Sequence, residues 1–206
     1  MTSNLVSLQR TIRTFTELCE KREIVQWRHI GDLFMRWAAM KAESRIVAVR
    51  ELTAIVERHR EGTWQLQTPY FWKLITEMLI ATGEFTLAKE LLDEASHLAD
   101  VAPQNWVKPE LYRLYAVLAE RKCDPAGFAP EHWLKRSLAQ AQEHGERYAE
   151  LCAARDLGQL YARRGEHQAA RQVLTAVSAS LTAGSDDLVV RQVEVLLDEL
   201  SSSGSS

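Results

Sequence analysis

The sequence predicts an all-α protein, a stack of about four helix hairpins in chain order with a capping helix at each end. Apolar residues recur at helical spacing in almost every window, strand-like alternation is absent, and one pattern of small and large residues returns about every 40 positions. Composition agrees. The 206 residues are 46% apolar, and nine Gly and five Pro are too few for a turn-rich sandwich or barrel.

Leu5, Leu8, Ile12, Phe15 and Cys19 mark the apolar face of the first helix, expected over 1–22 as the N-terminal cap. Ile24, Trp27, Ile30, Phe34 and Trp37 mark the next, which opens the four hairpins expected over 23–182. Breaks follow near Glu43 and Ser44, at 61–63, Gly83, 102–109, 124–130, Gly145, Gly165 and 183–185, giving about ten helices. The last, expected over 186–200, carries Val189, Val193, Leu196, Leu197 and Leu200 on one stripe, with Arg191, Glu194 and Asp198 directed away; it reads as the C-terminal cap. Residues 1–200 thus read as a single repeat domain, followed by a tail, SSSGSS, expected to be disordered.

The two sharpest breaks are alike. TGEFTLAKELLDEA (82–95) and RGEHQAARQVLTAV (164–177) share a glycine suited to a left-handed helix end, followed by a glutamate where the next helix begins. Aligning all copies on this pattern gives three columns: Ala48, Ala88, Pro130 and Ala170; Leu52, Leu92, Leu134 and Leu174; Ile55, Ala95, Ser137 and Val177. The intervals are 40, 42 and 40 residues. Each hairpin exposes an apolar face that only its neighbours can cover, so the copies are expected to stack into one continuous core.

Charge and cysteine usage exclude several classes. A net charge of −3 lacks the basic excess of a chain that coats nucleic acid or acidic lipid, so neither direct nucleic-acid binding nor a membrane role is expected. Cys19, Cys123 and Cys152 are odd in number, far apart and without a C-x-x-C pair, which argues against a disulfide framework or zinc knuckle and favours a reducing, cytoplasmic setting. The N-terminal stretch has no signal-peptide core, and no run of about 18 apolar residues occurs.

Leu157, Gly158 and Tyr161, followed by Ala170 and Leu174, resemble the tetratricopeptide repeat, whose first helix carries an L-G-x-x-Y core and whose second carries small and large apolar positions in turn. Trp72, Ala88, Leu92 and Ala95 match it less fully, with Thr76 at the glycine position; Arg36 takes that position in the first copy. Over roughly 25–200 the chain also resembles the C-terminal helical region of large bacterial ATPase-type signalling regulators associated with adenylate-cyclase or winged-helix domains. The likeness is carried by PYFWKLITEMLIATGEFTLAKELLDEA, PELYRLYAVLAE, PEHWLKRSLAQAQEHGERYAELCAARDLGQLYARRGEHQAARQVLTAV and VEVLLDEL. It implies a right-handed superhelical solenoid acting as a regulatory interaction module. The connection SLTAGSDDL (180–188) is shorter than the family's usual loop before its last helix. No G-x-x-x-x-G-K-[ST] phosphate loop is present, so no nucleotide or other cofactor is expected.

Catalytic groupings are equally absent from the pattern. His29, His59, His97, His132, His144 and His167 are scattered singly and read as surface residues, without an H-E-x-x-H metal pair. Cys152 reads as a packing residue, and Asp186, Asp187, Asp198 and Glu199 as caps and solvated charges. The expected protein is therefore not an enzyme. Of its six tryptophans, Trp27 and Trp72 read as core; Trp64 and Trp106 sit in connections, as loop pins or partner anchors.

The concave face of such an array is lined by the first helix of each hairpin. There Lys73, Arg113 and Arg155 recur at 40 and 42 residues and are expected to form a basic ladder, flanked by Trp37, Tyr70, Glu77, Glu110, Gln159 and Arg163. Such a face suits an extended peptide or a helix, and the ladder favours an acidic protein or peptide partner. The competing expectation for the ladder is a set of charges neutralised by nearby carboxylates such as Glu77. The asparagines that let some repeats grip a peptide terminus are missing. A different use of the same face is as a sensor of a small ligand or peptide signal.

Overall fold

A computed structural model describes residues 3–43, 49–61, 67–101, 105–121, 127–178 and 188–202. The described residues form ten α-helices and no strand, so the all-α class holds. They fall into two compact units, Met1–Ala102 and Pro103–Ser206.

The first unit contains α1 (Ser3–Lys21), α2 (Val25–Glu43), α3 (Val49–Glu61), α4 (Thr68–Thr82) and α5 (Phe85–Val101). α4 and α5 form a closely packed antiparallel hairpin. α2, by contrast, pairs chiefly with α1, whereas a hairpin with α3 was expected; α3 touches α2 and α4 only lightly. The cause lies in where the small residue sits. A side chain at Gly31 would place its Cβ 2.6 Å from Thr16 Oγ1, so the missing side chain lets α1 approach α2. On the α3 side, the repeat's glycine position holds Arg36, which reaches out to Glu51 at 3.2 Å.

The second unit opens on a 3-10 turn (Asn105–Val107) and continues through α6 (Lys108–Glu120), α7 (Pro130–Glu143), α8 (Arg147–Arg163), α9 (His167–Ser178) and α10 (Leu188–Ser202). Each of α6 to α9 packs on the next, α6 also meets α8, and α10 lies against both α8 and α9. Pro109 and Pro130 stand in the first turns of α6 and α7, where a missing N–H is not needed. Arg171 of α9 donates to the Leu200 carbonyl, closing the end of α10. Ser201 and Ser202, expected in a disordered tail, extend α10 instead; 203–206 lie outside the described residues.

Three corners share one backbone construction. Gly83, Gly145 and Gly165 take left-handed φ values of 84°, 67° and 78°. Each glycine N–H donates to the carbonyl three residues back, and the following glutamate N–H to the one five back, Leu79, Ala141 or Tyr161. The glutamate carbonyl then accepts from the N–H four residues on, at Ala88, Glu150 or Ala170, so the next helix starts without a spacer. Two of these corners are the ones the sequence pattern singles out; Gly145–Glu146 is a third of the same kind.

The column residues occupy the core. Leu52, Leu92, Leu134 and Leu174 are buried, as are Ile55, Ala95, Ser137 and Val177, and Ala88 and Ala170 are fully enclosed. Pro130 is only half-buried, and Ala48 lies outside the described residues. A Cβ on Gly158 would come within 2.8 Å of Leu174 Cγ, so this glycine sets the close crossing of α8 and α9. Ser137 keeps its place by donating to the Pro109 carbonyl at 2.7 Å.

Candidate partner-binding surface

In the first unit, α2 and α4 bring Trp37, Tyr70, Lys73 and Glu77 together. Trp37 Nε1 donates to Glu77 Oε2 at 2.7 Å across the 40-residue interval. Lys73, one turn before Glu77, approaches Oε1 at 2.6 Å, and Lys41 reaches Oε2 at 3.0 Å. The Lys73 ammonium also lies 6.0 Å and 5.9 Å from the Trp37 and Tyr70 ring centres. Burial alone would push the Glu77 carboxyl up. The charges of Lys73 and Lys41, with hydrogen bonds from Lys73 and Trp37, hold it down at about 2 instead.

The second unit builds its surface on α6, α8 and α10. Arg113 donates from Nε to Asp156 at 2.7 Å and from a terminal nitrogen to both Glu110 oxygens at 2.8 and 2.9 Å. Burial works against its charge, but Glu110 and Asp156 raise its pKa above the usual guanidinium range. Arg155 binds the other Asp156 oxygen at 2.6 Å and donates to Gln192 of α10 at 2.7 Å. One turn from Arg155, Gln159 is exposed, and beyond it Arg163 meets Glu120 of α6 at 2.5 Å. The pairs Arg113–Asp156 and Glu120–Arg163 both span 43 residues. Equal spans at two levels mean that α6 and α8 run parallel and in register.

No family model, curated protein or solved structure matches the chain.

The basic ladder requires correction. Lys73, Arg113 and Arg155 each have a carboxylate within 2.6–2.8 Å, so the face carries compensated charges. Their side chains are only 10%, 18% and 16% exposed, and a cation that deep without a counter-charge would be strongly destabilising. Arg113 and Arg155 do belong together, through Asp156; Lys73 belongs to the other unit. The sequence reading missed Lys41, Asp156 and Gln192. Helical phase could have indicated Asp156, which follows Arg155 and lies 43 residues after Arg113.

The histidines also divide. His97, His132, His144 and His167 are exposed, as expected, but His59 is 3% exposed. It pairs with Thr68 Oγ1 at 3.0 Å and meets the edges or faces of Phe71 and Trp72, with ring centres 5.4 Å and 5.0 Å away. The His29 side chain, Cys123, Trp64, Asp186 and Asp187 lie outside the described residues. Cys152 is buried, and burial pushes its thiol up, away from the reactive thiolate. Trp72 is buried, Trp27 is half-buried against Phe15, and Trp106 is 44% exposed. Asp198 and Glu199 are exposed on α10. Among the described residues no group of three His, Cys, Asp or Glu is arranged to hold a metal, and no helix is long and apolar enough to cross a membrane.

Proposed function

We propose that this chain is a non-catalytic protein-interaction module of a bacterial signalling or transcription-regulatory system. On this reading it is a cytoplasmic tetratricopeptide-like solenoid whose first helices bind a partner protein or peptide. The observation that carries the reading is the in-register pairing of α6 with α8, continued to α10 through Arg155 and Gln192. It holds polar side chains in fixed rows on a face where Val117, Gln159 and Val195 remain exposed. Fixed rows lose little side-chain entropy when a ligand docks, which favours binding over a surface of free charges.

Compensated charge changes the partner expected. A bare ladder would draw any acidic segment; paired rows with exposed valines between them favour a segment carrying both signs around a short apolar stretch. A photo-crosslinking residue placed at Gln159 or Val195 should capture the partner in cells. The same residue at Gln172, exposed on α9, should not. Capture from position 172 but not from 159 or 195 would refute the assignment of this face.

A further inference from the structure

We infer that the outward side of α10 is a self-complementary surface on which α10 of a second copy of this chain docks, antiparallel, about a twofold axis at Val195. The inference deepens the reading above at the α10 end of the face and rests on it: the segment of both signs around a short apolar stretch is there supplied by a second copy. Val189, Val190, Val193 and Leu200 are buried in α10, which packs against α8 and α9. At about 100° per residue, Val195 points about 160° away from the centre of that buried set. Leu188, Arg191, Gln192, Val195, Asp198 and Glu199 are all exposed and fall within about 60° of the Val195 direction, so they form one stripe on the outward side. Leu188 is 52% and Val195 56% exposed, which leaves apolar side-chain surface for a docked helix to cover.

The order of charges selects the occupant. The stripe carries Arg191 before Val195 and two carboxylates, Asp198 and Glu199, after it. A parallel copy would set Arg191 against Arg191 and Asp198 against Asp198. In an antiparallel copy with Val195 facing Val195, the right-handed helix brings Arg191 opposite Asp198 and Gln192 opposite Glu199, and symmetry forms each pair twice. The groups suit these roles. Asp198 makes no ion pair or side-chain hydrogen bond among the described residues, so it can accept from the arginine. The Gln192 oxygen already accepts from Arg155 at 2.7 Å, which leaves its amide nitrogen to donate to Glu199 of the second copy. A surface for an unrelated protein has no need to match itself after a half turn; one for a second copy does.

Size sets the strength. α10 has 15 residues, so the paired helices are about 22 Å long and 10 Å wide. Such a contact falls below the ~1,200 Å² of total buried surface that separates weak, transient interfaces from stable ones. The dimer is therefore reversible and forms as concentration rises, with the ion pairs setting its register and direction.

The test is sedimentation velocity of the whole chain over a range of concentrations at low salt. The native protein should pass from monomer to dimer as concentration rises. Arg191→Asp and Asp198→Arg should each weaken the dimer roughly tenfold, because both symmetric pairs become repulsive. An equimolar mixture of these two variants should recover native association, since Asp at 191 then meets Arg at 198 in both pairs. Val195→Arg, which sets two like charges at the axis, should abolish the dimer and serves if circular dichroism shows either charge variant misfolded. Arg10→Asp, the same change at an exposed position of α1, should leave association as it is. A native chain that stays monomeric, charge variants that dimerise as well as the native protein, or a mixture no tighter than its components would each overturn the inference. A monomeric chain whose crosslinker at Gln159 still captures a different protein would overturn the twofold docking alone and leave the partner-binding reading standing.

Discussion

In the first unit one carboxylate serves two cations, whereas in the second one guanidinium is held between two carboxylates. Glu77 takes Lys73, Lys41 and the Trp37 indole; Arg113 takes Glu110 and Asp156, and Asp156 passes on to Arg155. Both arrangements join neighbouring first helices, but they differ in redundancy. Removing Glu77 takes one acceptor from Lys73, Lys41 and Trp37 together, whereas removing Asp156 still leaves Arg113 with Glu110 and Arg155 with Gln192. A hub whose three donors share one carboxylate is more fragile than a chain in which each cation keeps another acceptor.

The sharpest way to break this contrast is to delete each acceptor. Glu77→Leu should cost about 3–5 kcal/mol, the range for removing one partner of a buried ion pair. Asp156→Ala should cost about 1.5–3 kcal/mol, the loss of charged hydrogen bonds with Glu110 and Gln192 retained as acceptors. Urea titration of both variants would measure the difference, and equal losses would remove the distinction between hub and chain.

Acid should reveal the same fragility. The Glu77 carboxyl is depressed from an ordinary 4.5 to about 2 in the folded protein. Its contribution is therefore fully present above pH 4.5 and lost as pH falls towards 2, about 3 kcal/mol in all. Denaturation midpoints measured across that window should fall more steeply in the native protein than in Glu77→Gln, which has no proton to take up there.

The smallest contrast concerns the column beneath these clusters. Gly158→Ala should overpack against Leu174 and destabilise by about 1–3 kcal/mol. Thr76, the counterpart in α4, is completely buried and its hydroxyl has no hydrogen-bond partner among the described residues. Thr76→Val keeps the volume and removes the stranded hydroxyl, so it should stabilise by about 1 kcal/mol. Thermal melts of the two variants should shift in opposite directions.

Much of this core was legible because its cause is periodic. Ala88, Ala170 and the leucine column are buried through helical phase and repeat interval, and both quantities stand in the chain itself. The α1–α2 pairing was not legible, since it depends on Gly31 meeting Thr16, fifteen residues earlier on a helix with no repeat counterpart. His59 was misjudged for a similar reason: its cover comes from Phe71 and Trp72, beyond a break in the pattern. On the candidate surface, helical phase identified the cations and the carboxylates Glu77 and Glu110, but not Lys41, Asp156 or Gln192. Lys41 meets Glu77 across 36 residues and Arg113 meets Asp156 across 43, so no single period reveals both.

The matched 43-residue spans have a bearing on how this chain can change over generations. A residue gained between Arg113 and Glu120 would rotate one end of α6 by about 100° relative to the other, and the two pairs could no longer close together. The same gain between Asp156 and Arg163 would restore the count but not the angle between the faces. Together the pairs act as a length gauge on two helices, and surviving insertions should collect in the connections, where the gauge takes no reading.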